Sequence, residues 1–170
     1  MTVTQSVDAQ DFVTIHHFAA PRGRVWAAWT RPELLAKWFG PKGSTTRILE
    51  YDLRPGGVWR SRLDSPQSGT MFARSVFREI AAPERLVYEH SFADAEGNIV
   101  KAPFFDHWPL VLLTTVTFAE DGEGTLVTLR WSPIDPRPAE RDTFLAHFES
   151  MRGGWGGSFE RLDTELAREA

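Results

Sequence analysis

Alternating apolar and polar positions dominate the middle of the chain, and they predict β-strands. The alternating runs are rich in Val, Thr, Phe, Trp and Leu, and turns that contain Gly or Pro separate them, as in antiparallel hairpins. A further β-branched and aromatic run comes earlier in the chain. Seven strands are therefore predicted, near residues 12–18, 44–52, 57–63, 70–80, 85–92, 109–120 and 124–131.

Two short helices are predicted between the first and the second strand. Val25 and Trp29 are spaced as i and i+4, which gives one apolar face to a helix that begins near Pro21. The second helix is expected to begin at a capping box formed by Thr30 and Glu33 and to end at the Gly-Pro pair that follows. The predicted order is thus strand, two short helices, and then six strands.

The C-terminal part of the chain has the period of an amphipathic helix over residues 139–168. Its apolar positions form a single stripe, at Phe144, Phe148, Met151, Trp155, Phe159, Leu162 and Leu166. Together with the element order, this stripe predicts an α+β fold in which one seven-stranded antiparallel sheet wraps around the last helix. Residues 1–170 are expected to form one domain, with residues 1–10 flexible.

Alternation within two strands predicts which side chains face the last helix. In the strand near 57–63, Trp59, Ser61 and Leu63 share the predicted inner face, and the arginines between them share the outer face. In the last strand, Trp131 belongs to the apolar, inner set. Ser61 is the small polar member of its set, and it fits either a cavity wall with one hydrogen-bonding point or an edge position.

The composition is that of a soluble globular protein with many large aromatic side chains. Of the 170 residues, 42% are hydrophobic and 25% are charged, and seven Trp and twelve Phe stand beside only two Tyr. A net charge of −4 disfavours nucleic acid as a partner. The N-terminus lacks the apolar stretch of a signal peptide, and no apolar run reaches the roughly 20 residues that span a bilayer. We therefore expect a cytoplasmic protein that does not enter the membrane.

The sequence contains no recognisable catalytic or metal-binding motif. The absence of Cys excludes disulfides, thiolate nucleophiles and thiolate metal sites, and the five His residues lack the spacing of a metal site. Neither a metal nor a cofactor is expected. The candidates for acid–base chemistry are His90, Asp106, His107 and Glu149, but they are scattered and form no pair by spacing. Catalysis is therefore not predicted.

Two features point to a cavity near the last helix. The segment 93–108 is long for a loop and carries Phe104, Phe105 and Trp108, which would form either a lid over the sheet and helix or a plug in the core. Four glycines surround Trp155, although glycine is unfavourable inside a helix. They indicate close packing of the helix or a kink, or else a pocket beside the Trp155 ring, and these interpretations are compatible.

Several blocks of sequence, in order along nearly the whole chain, are typical of one group of proteins. The blocks are Ala20-Pro21, Val25-Trp26, Ala28-Trp29-Thr30, Pro32-Glu33-Leu34-Leu35, Lys37-Trp38-Phe39-Gly40-Pro41, Asp52-Leu53-Arg54-Pro55-Gly56-Gly57, Phe77-Arg78-Glu79-Ile80, Pro83-Glu84-Arg85-Leu86-Val87-Tyr88, Thr115-Val116-Thr117-Phe118, Glu149-Ser150-Met151 and Gly154-Trp155. The chain resembles bacterial members of the START-like, polyketide-cyclase-type (SRPBCC) superfamily, in the group named after the C-terminal domain of the activator of heat-shock-protein-90 ATPase. The resemblance implies the helix-grip fold, a curved antiparallel sheet that holds a long C-terminal helix, with a hydrophobic tunnel between them. Members of this group share no set of catalytic residues, so the resemblance implies no catalytic residues in this chain.

Three functions from different classes fit these observations. The favoured one is the binding of a small hydrophobic or aromatic molecule in a cavity between sheet and helix, because aromatic walls exclude water and hold a ligand by burial. The second is a cyclase-like or hydrolase-like enzyme that uses a cavity His or Asp. The third is a module that interacts with a chaperone or regulator through the sheet face. It is disfavoured, because the activators that resemble this chain carry a separate chaperone-binding domain.

A ligand in this cavity would be enclosed by residues from the sheet, the loop and the last helix. The predicted ligand-binding residues are Trp38, Trp59, Ser61, Phe72, His90, Phe105, His107, Trp108, Trp131, Phe148, Met151 and Trp155. The expected partner is this small hydrophobic ligand, and neither nucleic acid nor membrane is expected to bind. The protein is expected to be a monomer or a homodimer.

Overall fold

The structure, a computed structural model, describes residues 10–168, so the segment 1–10 that was predicted to be flexible lies outside the described residues except for Gln10. The strands are β1 (Phe12–Phe18), β2 (Thr45–Tyr51), β3 (Val58–Ser65), β4 (Gly69–Ala81), β5 (Arg85–Ala93), β6 (Leu112–Asp121) and β7 (Gly124–Pro133). The helices are α1 (Arg22–Thr30), α2 (Pro32–Trp38), α3 (Pro138–Ala146) and α4 (Phe148–Arg168). None of these helices is long and apolar enough to cross a membrane. The seven predicted strands are confirmed.

The strands form one antiparallel sheet in the order β1-β7-β6-β5-β4-β3-β2. Strands β2 to β7 follow one another as a meander, whereas β1 pairs with β7 at the far edge and places Phe12 opposite Trp131. The register shifts between Ile48 and Glu50 on β2, and such irregularities bend and twist a strand. The sheet is curved around the C-terminal helix, which confirms the predicted α+β architecture.

The inner face of the sheet carries the core. In β3, the residues predicted to face inward, Trp59, Ser61 and Leu63, are buried, and the arginines between them are half-exposed. In β7, Val127 and Leu129 are buried in the same alternating way. The face assignments are therefore confirmed. Buried apolar side chains from the sheet and all four helices form one cluster.

The C-terminal segment consists of two helices, and the prediction of a single helix over 139–168 is wrong. The helices are interrupted at His147, which has φ −116° and ψ 22° and whose main-chain N–H donates to the carbonyl oxygen of Phe144, three residues back. The ring Nδ1 of His147 lies 2.7 Å from the carbonyl oxygen of Thr143 and supplies a partner for this helix-end group. The apolar stripe continues across the break, so hydrophobic periodicity does not reveal it.

The predicted capping box at the start of α2 is also wrong. Thr30 is the last residue of α1, and its Oγ1 donates to the carbonyl oxygen of Trp26 at 2.8 Å. Arg31 is the N-cap of α2 and makes no side-chain capping hydrogen bond, and Pro32 opens the helix. Because one residue connects the two helices, the threonine belongs to the end of the first and not to the start of the second.

Polar contacts hold α4 over the sheet from two sides. The Ser158 hydroxyl donates to the carbonyl oxygen of Gly40 at 2.8 Å, and the Arg161 guanidinium donates to the same oxygen at 3.0 Å. On the other side, Nε2 of His16 on β1 lies 2.9 Å from Oδ2 of Asp163. The space between the N-terminal half of α4 and the sheet is the candidate functional site.

Candidate functional site

A cavity of about 290 Å³ lies between the sheet and α4. From the sheet, it is lined by Leu63, Met71, Phe72, Ala73, Tyr88, His90, Phe92 and Trp131. From α4 and the connections, it is lined by Ser150, Met151, Gly154, Trp155, Ser158, Phe39, Gly40, Pro41, Phe104, Phe105, Trp108 and His147. The volume is at the lower end of the range for small-molecule pockets, so a compact ligand fits it best.

The cavity wall is almost entirely apolar and aromatic. Within residues 10–168, no Asp, Glu, Lys or Arg borders it. Apart from the indole N–H groups, its polar side chains are Tyr88, His90, His147, Ser150 and Ser158, and the indole N–H of Trp131 is buried without a hydrogen-bond partner among the described residues. An ionised group that enters such a site loses its hydration without gaining an opposite charge, which costs several kcal/mol (~5). The cavity therefore suits uncharged molecules.

His90 lies on the sheet side of the cavity and is uncharged at neutral pH. Its ring stacks on Trp131, with centroids 5.9 Å apart and planes at 14°, and Oγ of Ser75 lies 3.4 Å from its Nδ1. Desolvation by burial lowers the pKa of His90 from 6.5 to about 4, because the imidazolium form is disfavoured away from water. His90 is therefore a neutral hydrogen-bonding group of the wall.

Tyr88 precedes His90 by two residues on β5 and faces the same side of the sheet. It is 1% exposed, and its ring packs edge-on against Trp59 with centroids 5.2 Å apart. Burial raises the pKa of the Tyr88 hydroxyl well above its usual range, so the phenol stays protonated. No hydrogen bond joins this hydroxyl to any group within the described part of the chain. The phenol is thus an unused donor at the cavity wall.

The glycines around Trp155 leave open space on the helix side. A Cβ atom built at Gly153, Gly154 or Gly156 meets no atom within 4 Å, and at Gly157 it meets a lysine side chain at the ordinary contact distance of 3.4 Å. Close packing of the helix therefore does not explain these glycines. Gly154 is exposed and borders the cavity, whereas the other three glycines do not border it.

The loop before β6 covers one side of the cavity with three aromatic rings. Trp108 is 9% exposed and packs on Phe144 of the core, with ring centroids 5.7 Å apart. Phe105 stacks on Trp108 at 4.8 Å and meets His147 edge-on at 4.6 Å, whereas Phe104 is 53% exposed. The loop thus contributes Trp108 to the core and the more exposed rings of Phe104 and Phe105 to the cavity wall, and its role as a lid or a plug stays a prediction.

Seven of the twelve predicted ligand-binding residues border the cavity, namely Phe72, His90, Phe105, Trp108, Trp131, Met151 and Trp155. Phe72 differs from the other residues in the direction of its side chain. It pairs with Arg62, which faces outward, so Phe72 is on the outer face of the sheet. Its neighbours Met71 and Ala73 pair with inward residues instead. Contact between these seven residues and a ligand stays a prediction.

Five predicted residues lie away from the cavity, namely Trp38, Trp59, Ser61, His107 and Phe148. Trp38 is fully buried, and its indole N–H donates to a main-chain carbonyl oxygen at 3.0 Å. The indole N–H of Trp59 donates to Oγ of Ser61 at 2.7 Å, so this serine serves the core. Phe148 packs on two core phenylalanines at 5.7 and 5.5 Å, and His107 is exposed in the loop.

The acid–base candidates do not converge. His90 borders the cavity, whereas Asp106, His107 and Glu149 are exposed and do not. With its pKa lowered to about 4, His90 is a weak base. The geometry therefore assembles no acid–base pair from these four residues.

Sequence reasoning missed several wall residues on the central strands, namely Met71, Ala73, Tyr88 and Phe92. The inner face of β3 was identified from the alternation of its residues, and residues paired across neighbouring strands face the same side of the sheet. The pairing of β3 with β4, and of β4 with β5, therefore assigns these four residues to the inner face as well. Tyr88 in particular is two residues before the predicted His90 and must face the same way. The register itself, however, is a property of the folded sheet.

Comparisons with known proteins identify relatives of this fold. The family model described as "Activator of Hsp90 ATPase homolog 1-like protein" matches residues 19–167. Protein Ms6760 from Mycobacterium smegmatis is 23% identical, with a TM-score of 0.76 over 95% of this chain and 93% of that chain. Protein CV1439 from Chromobacterium violaceum is 26% identical, with a TM-score of 0.70 over 92% and 96% of the two chains. No curated protein matches the sequence.

Proposed function

Because the chain belongs to the family of activator of Hsp90 ATPase homolog 1-like proteins, and its fold encloses an apolar cavity, we propose that it binds a small, uncharged, hydrophobic or aromatic molecule between the sheet and α4. The observation that supports this most is the cavity of about 290 Å³, whose described wall is largely aromatic and contains no Asp, Glu, Lys or Arg. A ligand that buries about 300 Å² of apolar surface gains about 7 kcal/mol before the cost of association, which corresponds at best to micromolar affinity.

The other two functions have less support. An enzyme has less support because burial lowers the pKa of His90 to about 4, which makes it a weak base, and the other candidates from the sequence are exposed and do not border the cavity. The third function, interaction with a chaperone or regulator, agrees with the family description, which names activation of the Hsp90 ATPase. However, the outer face of β3 carries charged side chains that form ion pairs. Arg60 donates to Glu50 at 2.9 Å, and Arg62 lies 3.1 Å from Asp64. Such a surface is not an exposed apolar patch of the kind that marks interaction sites.

The proposal is tested by filling the cavity from α4. We expect Gly154→Leu to weaken the binding of 2-ethylnaphthalene at least about tenfold, because the new side chain occupies open space at the cavity wall. The measurement is the dissociation constant by calorimetry. Thermal unfolding should show no loss of stability, since leucine is favoured over glycine in a helix by up to about 1 kcal/mol.

The matched control is Gly153→Leu. Gly153 is the preceding residue, is equally exposed, has equally open space at Cβ, and does not border the cavity. Its variant should keep the affinity within about twofold while gaining the same helix propensity. Equal loss of affinity in both variants would refute the proposed function.

A further inference from the structure

The hydroxyl of Tyr88 is a hydrogen-bond donor that faces the cavity without an acceptor among the described residues. Tyr88 is 1% exposed, borders the cavity, and makes no hydrogen bond to any of residues 10–168. The other tyrosine of the chain, Tyr51, shows the usual arrangement, because its hydroxyl donates to the carbonyl oxygen of Trp29 at 3.1 Å. Buried hydroxyls in folded proteins nearly always have a partner. The missing partner of Tyr88 is therefore expected to come from the contents of the cavity.

His90 places a second neutral polar group beside this hydroxyl. The two residues are separated by one position on β5, so their Cα atoms are about 7 Å apart and their side chains lie on one face. Nδ1 of His90 faces the Ser75 hydroxyl, while Nε2 has no partner within the described part of the chain. When the Ser75 hydroxyl donates to Nδ1, the neutral ring carries its proton on Nε2. Both unpartnered groups can then act as donors.

We propose that the ligand carries an uncharged oxygen acceptor, such as the carbonyl group of an aryl ketone or a quinone, which accepts a hydrogen bond from the hydroxyl of Tyr88 with His90 beside it. This inference rests on the proposed function and specifies the chemical class of its ligand. A carbonyl oxygen matches an O–H donor in geometry and adds no charge.

The same wall discriminates against carboxylates of similar shape. A carboxylate would bring a full negative charge to a site that offers hydrogen-bond donors but, among the described residues, no Lys or Arg. The cavity thus favours ketones over the corresponding acids, and fatty acids are poor ligands in this account.

Three probes with one ring system test the inference. They are 2-ethylnaphthalene, 2-acetylnaphthalene and 2-naphthoate, which differ in carrying no oxygen, a ketone oxygen and a carboxylate. Their dissociation constants are measured by calorimetry with the unmodified protein and with Tyr88→Phe. We expect the ketone to bind at least about tenfold more tightly than the carboxylate. We expect Tyr88→Phe to lower the ratio of ketone affinity to hydrocarbon affinity about fivefold, which corresponds to the loss of one hydrogen bond.

The matched control is Tyr51→Phe, which removes the other tyrosine hydroxyl at a site away from the cavity. It should leave the ketone-to-hydrocarbon ratio unchanged within about twofold. An unchanged ratio in Tyr88→Phe, or a carboxylate that binds as well as the ketone, would overturn the inference and leave the proposed function standing. Failure of both uncharged probes to bind the unmodified protein would instead overturn the proposed function, and the inference with it.

Discussion

Individual side chains set both the polarity and the volume of the cavity. Tyr88 and His90 supply neutral hydrogen-bonding groups, since burial disfavours the ionised form of each. Gly154 keeps space open beside Trp155. A helical glycine is locally unfavourable, and a bound ligand would give the Tyr88 hydroxyl an acceptor that the described residues do not supply.

The pKa of His90 gives a testable pH dependence of stability. A histidine whose pKa falls from 6.5 to about 4 on folding gains its proton on unfolding, so its contribution to stability is complete above pH 6.5 and is lost as the pH falls toward 4. Between pH 7 and pH 5, we expect the unmodified protein to lose about 1 to 2 kcal/mol more stability than His90→Phe. Urea denaturation of both proteins at the two pH values measures this difference. Equal losses in the two proteins would show that His90 is not buried as described.

At the scale of elements, the strands could be predicted from the sequence, whereas the break between the last two helices and the position of the cavity could not. Alternation and turn residues are local signals, so β1 to β7 and the inner face of β3 follow from them. The break at His147 depends on hydrogen bonds at the end of α3, which hydrophobic periodicity does not encode. Trp59 and Trp131 both follow the inward pattern, but the cavity borders only the second, because the packing of α2 and α4 decides where space remains.

The loop before β6 is expected to control release of the ligand. Phe105 lines the cavity from the loop, stacked on Trp108 and edge-on to His147, so Phe105→Ala removes both ring contacts and part of the cavity wall. We expect the dissociation rate of 2-acetylnaphthalene, measured by stopped-flow displacement, to rise about tenfold. Leu110→Ala is the control, because Leu110 lies in the same loop, is 46% exposed and does not border the cavity. A rate that changes equally in both variants would argue that the loop is only a structural plug.

At the scale of the whole molecule, the cavity depends on how the curved sheet holds its C-terminal helix. Contacts of Ser158 and Arg161 with the connection after α2, and of Asp163 with His16 on β1, fix α4 at opposite sides of the sheet. The aromatic side chains complete the enclosure, and Trp108 and Trp155 reach it from different elements. The meander of β2 to β7 could be predicted from the sequence because its pairings are between consecutive strands, whereas the pairing of β1 with β7 and the cavity wall combine residues that are distant along the chain.

The seven tryptophans provide the most direct test of ligand binding in this cavity, because their indole N–H signals can be resolved by NMR. Three of the indoles, Trp108, Trp131 and Trp155, border the cavity, and the other four do not. The measurement is a titration of the ¹⁵N-labelled protein with 2-acetylnaphthalene, with signals assigned by single Trp→Phe variants. We expect saturable shifts that are largest for the three cavity indoles. Absence of saturable shifts, or shifts confined to the other four, would contradict this expectation.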